Sequence, residues 1–188
     1  MRVATSLTNQ FLIAMPRLED PNFSRTVTYI CEHNDQGAMG IIINRPMEIR
    51  LSDVFEQLDI VATSPELNNS AVYLGGPVQT DRGFVLHPTS ALSFDSTLHV
   101  TPELCVTTSR DVLEAIASGR GPQQCLVALG YAGWASGQLE AELTTDAWLT
   151  GPANAETLFD LPAEQRWQAA AQLLGVDLNL VVGQVGHA

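Results

Sequence analysis

Two arginines flank apolar, strand-like runs, and each could bind an anion. Arg45 and its neighbour Asn44 directly follow the apolar run 41–43, and Arg25 directly precedes the run 26–31. A guanidinium group presents a planar fork of donors that matches a carboxylate or a phosphate. The same fork can instead hold loop carbonyl groups, so a ligand-binding role and a structural role both stay open. Arg25, Asn44 and Arg45 are therefore candidate ligand-binding residues.

A glycine-rich stretch, LGYAGWASGQLEAEL at 129–143, follows one strand-like run and leads into a short helix-like run. Backbone N–H groups placed before a helix can cradle a phosphate. The glycine spacing differs from G-x-G-x-x-G and no lysine follows, so neither a dinucleotide motif nor a P-loop is present. The alternatives are a tight corner on which Trp134 packs, or a contact for a partner. Trp134 and Gln138 are further candidates, whereas Glu140 and Glu142 are expected to face solvent.

Cys31 and His33 could form a nucleophile–base pair, but their spacing argues against it. On a strand, residues i and i+2 share a face with their side chains about 7 Å apart, too far for a direct hydrogen bond. His33 is retained as a candidate ligand-binding residue. The cysteines, Cys31, Cys105 and Cys125, are odd in number, lack C-x-x-C spacing and lie in apolar runs. That pattern predicts buried thiols in a reducing compartment.

The histidines give no metal-binding pattern. No histidine is paired with a second His or a Cys at the short spacing of a metal site. We therefore expect no metal and no cofactor, and the residues leave open whether the protein is an enzyme. Catalytic residues cannot be assigned from the sequence.

The charge balance limits the partners. The formal net charge is −12, and all nine fixed positive charges are arginines, since the sequence has no lysine. A Schiff-base lysine and a P-loop lysine are thereby excluded. An acidic surface repels the phosphate backbone that supplies most nucleic-acid affinity, which argues against direct nucleic-acid binding. The apolar run 11–15 is too short for a signal core or a membrane span, so we expect a cytoplasmic protein with no membrane association.

Strand hairpins come first along the chain and are followed by strands mixed with helices rather than a regular alternation, which predicts an α+β protein in one domain, 1–188. The runs 26–33 and 38–44 are separated by a short glycine-containing link and predict a β-hairpin. A strand–helix–strand unit is predicted at about 104–129. The remaining predicted strands lie near 10–15, 71–75, 83–87, 97–100 and 178–185, and the predicted helices lie near 51–60, 109–121 and 163–177.

Long stretches of the sequence resemble the AlgH/YqgE family of bacterial proteins. They are QFLIAMPRLEDPNFSRTVTYICEHNDQGAMGIIINRP, LGGPVQTDRGFVLH, LGYAGWASGQLEAEL, AWLT and the terminal GHA. The resemblance implies a single α+β domain with a bent, bifurcated, mostly antiparallel sheet that forms a pseudo-barrel flanked by helices. The family's motifs map onto Phe23, Arg25, Glu32, His33, Asn44, Arg45, Pro46, Gly75, Gly76, His87, Trp134, Gln138 and Glu140.

The resemblance implies little about chemistry. The family takes its name from a proposed regulatory role in alginate production, its members are labelled transcriptional regulators, and no catalytic residue can be carried over. The leading hypothesis is a regulatory or binding protein that acts through a protein partner or a small, anionic ligand. The alternative is an enzyme or anion-binding protein whose cleft is formed by the loops of Arg25, Arg45 and Gly130–Gly137. Direct DNA binding fits the charge balance worst.

Overall fold

The computed structural model describes residues 6–64 and 68–179. The chain divides into two compact units. The first comprises the residues up to Asn44 together with those from Ala132 onward, and the second is Arg45–Tyr131. One strand, β9 (Leu126–Ala135), contributes its residues up to Tyr131 to the second unit and its last four residues to the first.

The first unit is built on antiparallel strands. They are β1 (Gln10–Ala14), β2 (Val27–Asn34), β3 (Gly37–Ile42), the end of β9, and β10 (Trp148–Pro152). Their order is β10-β1-β2-β3-β9. The hairpin of β2 and β3 is confirmed, with Thr28 opposite Ile42 and Asn34 opposite Gly37. Both strands are largely buried because their apolar residues are consecutive rather than alternating.

Helical segments with bounds inside the described residues accompany this sheet. They are α3 (Gln138–Leu143), a π-helical turn (Glu156–Asp160) and α4 (Ala163–Gln172). The buried side chains of Arg166 and Trp167 fix α4, because Arg166 donates to the carbonyl of Ile43 and Trp167 Nε1 donates to the carbonyl of Ala14 at 2.8 Å. Leu178 and Asn179 are helical, in contrast to the predicted strand at 178–185, whose remaining residues lie outside the described part.

The second unit has its own strands and, among its described residues, two helices. The strands are β4 (Pro46–Arg50), β5 (Ala71–Leu74), β6 (Val78–Pro88), β7 (Thr97–Thr101) and β8 (Leu104–Thr107). The first half of β9 lies between β5, to which it runs parallel, and β6, to which it runs antiparallel. β6 then pairs with β8 and β8 with β7, both antiparallel. The sheet therefore branches at β9, and the predicted α+β class with a mostly antiparallel sheet is confirmed.

The helices of the second unit are α1 (Leu51–Gln57) and α2 (Arg110–Ala117). Their apolar faces join one buried cluster with the sheet, to which Leu51 and Phe55 contribute from α1 and Val112 and Ile116 from α2. Arg50 occupies the N-cap position of α1, and the Asp53 carboxylate accepts a hydrogen bond from its backbone N–H at 2.7 Å.

Candidate functional site

Asn44 and Arg25, both in the first unit, hold the loop that precedes β2. Asn44 Oδ1 accepts from the backbone N–H of Val27 at 2.9 Å, and its Nδ2 donates to the carbonyl of Arg25 at 2.9 Å. The Arg25 guanidinium lies 5.4 Å from the centre of the Trp167 ring, a cation–π distance. The described contacts of both side chains are therefore with the protein itself.

His33 is buried, and both of its ring nitrogens are engaged. Nδ1 accepts from the backbone N–H of Leu7 at 2.9 Å, so Nδ1 carries no proton. The proton of the neutral ring must then be on Nε2, which donates to the carboxylate of Glu140. That hydrogen bond lowers the pKa of Glu140 from its usual value. Because neither nitrogen is available, this geometry does not present His33 as a general base.

Trp134, near the end of β9, and Gln138, the first residue of α3, flank the turn that joins the two elements. Gln138 Oε1 accepts from the backbone N–H of Ala135 at 2.8 Å. The Trp134 side chain is only 5% exposed, and its ring centre lies 6.0 Å from that of Phe23. Trp134 also donates a hydrogen bond to Glu142, which opposes the rise in the Glu142 pKa caused by burial.

The glycine-rich stretch is a continuous strand followed by a turn, rather than a corner at every glycine. β9 runs through Gly130 and Gly133, and positive φ angles occur at Gly130 and Gly137. Arg45 lies in the second unit, where its carbonyl accepts from the backbone N–H of Leu74 at 2.9 Å. A ligand role for these residues, and a cleft formed by the loops of Arg25, Arg45 and Gly130–Gly137, stay predictions.

The second unit contains a largely apolar cavity of about 510 Å³, here called the α1–α2 cavity because both helices border it. Its floor is continuous with the buried cluster of this unit through Val85, Leu113 and Val127. Half-buried apolar side chains, including Val54 from α1 and Leu129 from β9, line its walls. The volume falls within the range of small-molecule binding sites.

Polar side chains also border this cavity. Two exposed arginines, Arg82 on β6 and Arg110 at the first turn of α2, line it together with Thr108. The Arg82 guanidinium lies 3.4 Å from Thr108 Oγ1 and over the ring of Phe84, 5.6 Å from its centre. Arg110 forms an exposed ion pair with Glu114 at 3.4 Å. Asp81 also borders the cavity and adds a negative charge.

A second, smaller cavity of about 260 Å³, here called the thiol cavity, lies over the strands β6, β8 and β7. The register places His87, Cys105 and His99 directly opposite one another on these three strands. Cys105 Sγ lies 3.3 Å from His99 Nδ1 and 3.4 Å from Thr89 Oγ1. Cys105 is buried, as predicted for the cysteines, whereas His99 is exposed.

His87, in contrast to His99, is fully engaged. Its Nδ1 faces the carbonyl of Pro88 at 2.8 Å, so Nδ1 carries the proton. Its Nε2 then accepts from Thr107 Oγ1 at 2.7 Å. Burial is the main cause of its lowered pKa, which the hydrogen bond to Pro88 opposes. The imidazole is thus held in its neutral form.

Asp95 and Ser96, in the loop before β7, hydrogen-bond to residues at the start of α2. The backbone N–H of Asp95 donates to Asp111 Oδ2 at 2.7 Å, and that of Ser96 donates to Ser109 Oγ at 3.0 Å. Ser109 occupies the N-cap position of α2, and its Oγ donates to Asp111 Oδ1 at 2.5 Å. These contacts pin the loop before β7 to the start of α2.

Sequence reasoning had not assigned a ligand role to Cys105, His99, Arg82 or Arg110. The sequence did contain a signal for Cys105 and His99. The runs around these two residues were predicted as consecutive short strands, and an antiparallel hairpin brings such residues together. The arginines gave no local signal, since each lies alone on its element. Within residues 6–64 and 68–179, no three His, Cys, Asp or Glu side chains are placed to hold a metal ion.

Among the described residues, no helix is both long and apolar enough to cross a membrane. Residues 11–179 match the AlgH-like family. The UPF0301 protein AlgH of Pseudomonas aeruginosa is 58% identical over 185 residues, covering 98% of this chain and 97% of that protein. A UPF0301 protein of Thioalkalivibrio sulfidiphilus is 57% identical over 188 residues, covering 100% of each.

Solved structures give the same result. The solution structure of AlgH from Pseudomonas aeruginosa has a TM-score of 0.79 and 57% identity, and the match covers 100% of this chain and 99% of that one. A crystal structure from Corynebacterium diphtheriae has a TM-score of 0.73 over 96% of this chain and 93% of that one, and at 21% identity it shows the fold alone. The chain belongs to the AlgH-like family.

Proposed function

We propose that this protein is a regulatory binding protein whose ligand is a small amphipathic anion, held in the α1–α2 cavity. The observation that carries the proposal is the division of that cavity into a buried apolar floor and a rim with two exposed arginines, Arg82 and Arg110. A ligand with an apolar body and a carboxylate head matches this division.

The apolar body would supply most of the affinity. Each methylene group transferred from water to such a floor contributes about 0.8 kcal/mol, or about fourfold in affinity. The floor is formed by residues of the folded core such as Val85 and Val127, so the site exists before the ligand binds. A site that is already formed requires little ordering of the protein on binding.

The head group would be selected by charge and by hydrogen-bond geometry. An arginine can hold a carboxylate with two parallel hydrogen bonds. The start of α2 adds the partial positive charge of a helix N-terminus, although Asp111 offsets part of it. With a net charge of −12, the protein repels anions at long range, so binding depends on these short-range contacts.

The regulatory role and the cytoplasmic location are parts of the same proposal. Cys31 and Cys105 are buried free thiols, which supports a reducing compartment. A protein that holds a metabolite-sized anion in a preformed cavity is suited to sensing that anion. A protein partner is the alternative route to regulation.

Calorimetric titration with straight-chain carboxylates of increasing length, and with the matching alcohols, tests the proposal. We expect saturable binding that strengthens about fourfold per methylene and then levels off when the cavity is full. Val54→Phe fills the cavity from its wall and should abolish this gain. Arg82→Gln and Arg110→Gln should weaken the carboxylates but leave the alcohols unchanged.

Arg17→Gln is the matched control, because Arg17 is an exposed arginine of the first unit that bonds to the carbonyl of Asp146. It should leave every affinity unchanged. Binding that does not depend on chain length, or that survives Val54→Phe, would overturn the proposal.

A further inference from the structure

We infer that Cys105 is the nucleophile of a second site, the thiol cavity, where it adds to a small α,β-unsaturated carbonyl compound with His99 as the base. This inference does not depend on the α1–α2 cavity. It assigns a chemical activity to a pair of residues that the proposed binding function does not use.

The register of three neighbouring strands creates the pair. Residues directly opposite on antiparallel strands have side chains on the same face and close together. Cys105 on β8 faces His99 on β7, and the Sγ–Nδ1 distance of 3.3 Å is a hydrogen-bonding distance for sulfur. A thiol beside an imidazole that can take its proton is the arrangement of an activated cysteine.

His99 is the base because the other groups near the sulfur are engaged elsewhere. His87, opposite Cys105 on β6, has its Nδ1 on the carbonyl of Pro88 and its Nε2 on Thr107. Thr89 donates its hydroxyl proton to the carbonyl of Pro102 at 2.7 Å, so toward the sulfur it presents lone pairs. His99 is exposed, and it can therefore exchange a proton with solvent.

The cavity favours a small substrate with a polar end. Its volume of about 260 Å³ lies below the usual range for drug-sized ligands. Phe94 and Leu92 provide apolar surface, while the hydroxyl group of Ser93 borders the same space and could donate to a carbonyl oxygen. An unsaturated aldehyde or ketone of a few carbons combines these two properties.

Conjugate addition needs only the groups present. The Sγ–H proton passes to His99 Nδ1 as the Sγ–Cβ bond forms, and the π electrons of the C=C bond move onto the enolate. The proton then returns from His99 Nδ1 to the α carbon, which leaves a thioether. No leaving group, oxidant or second nucleophile is required.

The other two thiols provide internal standards. Cys31 is buried, and burial strongly raises its pKa. Cys125 is more exposed than Cys105, which is 2% exposed, but burial raises the pKa of Cys125 to about 11. If side-chain exposure alone set the reaction rate, Cys125 would react fastest. The site we infer predicts instead that Cys105 reacts fastest.

The test uses the full-length reduced protein and 2-cyclohexen-1-one, with modification followed by mass spectrometry of cysteine-containing peptides at several pH values. We expect Cys105 to react about tenfold faster than Cys125 at neutral pH. His99→Asn should slow the reaction of Cys105 about tenfold, change the pH profile of that rate and leave the rate at Cys125 unchanged.

Leu98→Asn is the control for His99→Asn, because Leu98 is its exposed neighbour on β7 and faces the opposite side of the strand. It should leave the rate at Cys105 unchanged. Preferential reaction at Cys125, or an unchanged rate and pH profile in His99→Asn, would overturn the inference. The relative reaction rates of the three thiols in the native sequence test the inference even where a variant fails to fold.

Discussion

The imidazole of His33 on β2 donates a hydrogen bond to the carboxylate of Glu140 on α3, across 107 residues of sequence. The opposite ring nitrogen accepts from the backbone N–H of Leu7. One buried side chain thereby connects the segment before β1, the hairpin strand β2 and a six-residue helix. Since α3 is too short to be stable alone, this contact is part of what holds it on the sheet.

Glu140→Gln should therefore destabilise the protein. The substitution keeps the shape of the side chain but removes the charge that strengthens the hydrogen bond from His33. Because Glu140 is 40% exposed, solvent screens the interaction, and we expect a loss of about 1 kcal/mol rather than more. Urea unfolding at neutral pH measures it. Glu32→Gln, an exposed acid on the same strand as His33, should be neutral, and an equal loss there would refute the assignment.

The same pair predicts a pH dependence. The hydrogen bond from His33 lowers the pKa of Glu140 below its usual 4.5. A depressed carboxyl pKa contributes stability that is fully present above the unfolded-state value and is lost as pH falls through the folded-state value. The stability difference between the native sequence and Glu140→Gln should hence be constant above about pH 5 and shrink below pH 4.5. Unfolding free energies measured across that range test this, and a difference that grows toward acid would contradict it.

Local sequence patterns predicted most helices and strands, because the burial of a segment and the periodicity of its apolar residues can be read from neighbouring residues. The β2–β3 hairpin and the helices α1, α2 and α4 follow from runs of apolar residues and their spacing. β10 was missed since Gly151 and Pro152 argue against a strand, yet within residues 6–64 and 68–179 β10 is an edge strand beside β1, a position where proline is tolerated.

The candidate sites were harder to predict because they depend on long-range pairing. His33 was singled out, but its partner Glu140 was expected to face solvent, and no local pattern connects the two. Cys105 and His99 lie only six residues apart, yet their contact depends on the register of β7 and β8. An irregularity between His99 and Thr101 shifts that register, and the sequence does not reveal where it occurs.

Gly130→Ala should be strongly destabilising. Gly130 has φ of +79°, and a Cβ there would collide with the carbonyl oxygen of Gly76. Strain and collision together should cost more than about 2 kcal/mol. Gly137, with φ of +76° and no atom within 4 Å of a Cβ, isolates the backbone strain, and its replacement by Ala should cost about 1 kcal/mol. Gly83 has neither feature and should tolerate Ala in the same thermal-unfolding comparison; equal costs at all three positions would refute this account.

Thr107→Val and Thr28→Val should change the free energy of unfolding by different amounts, although both threonines are fully buried on strands. The Thr107 hydroxyl donates to His87 Nε2 at 2.7 Å and lies 2.8 Å from Thr97 Oγ1, so valine leaves a buried imidazole nitrogen without its donor. That loss should cost about 1–3 kcal/mol. Thr28 Oγ1 has no hydrogen-bond partner within the described residues, so Thr28→Val removes an unsatisfied polar atom and should be neutral or stabilising. Chemical denaturation of both variants decides the point, because equal losses would show that the His87–Thr107 bond contributes nothing beyond packing.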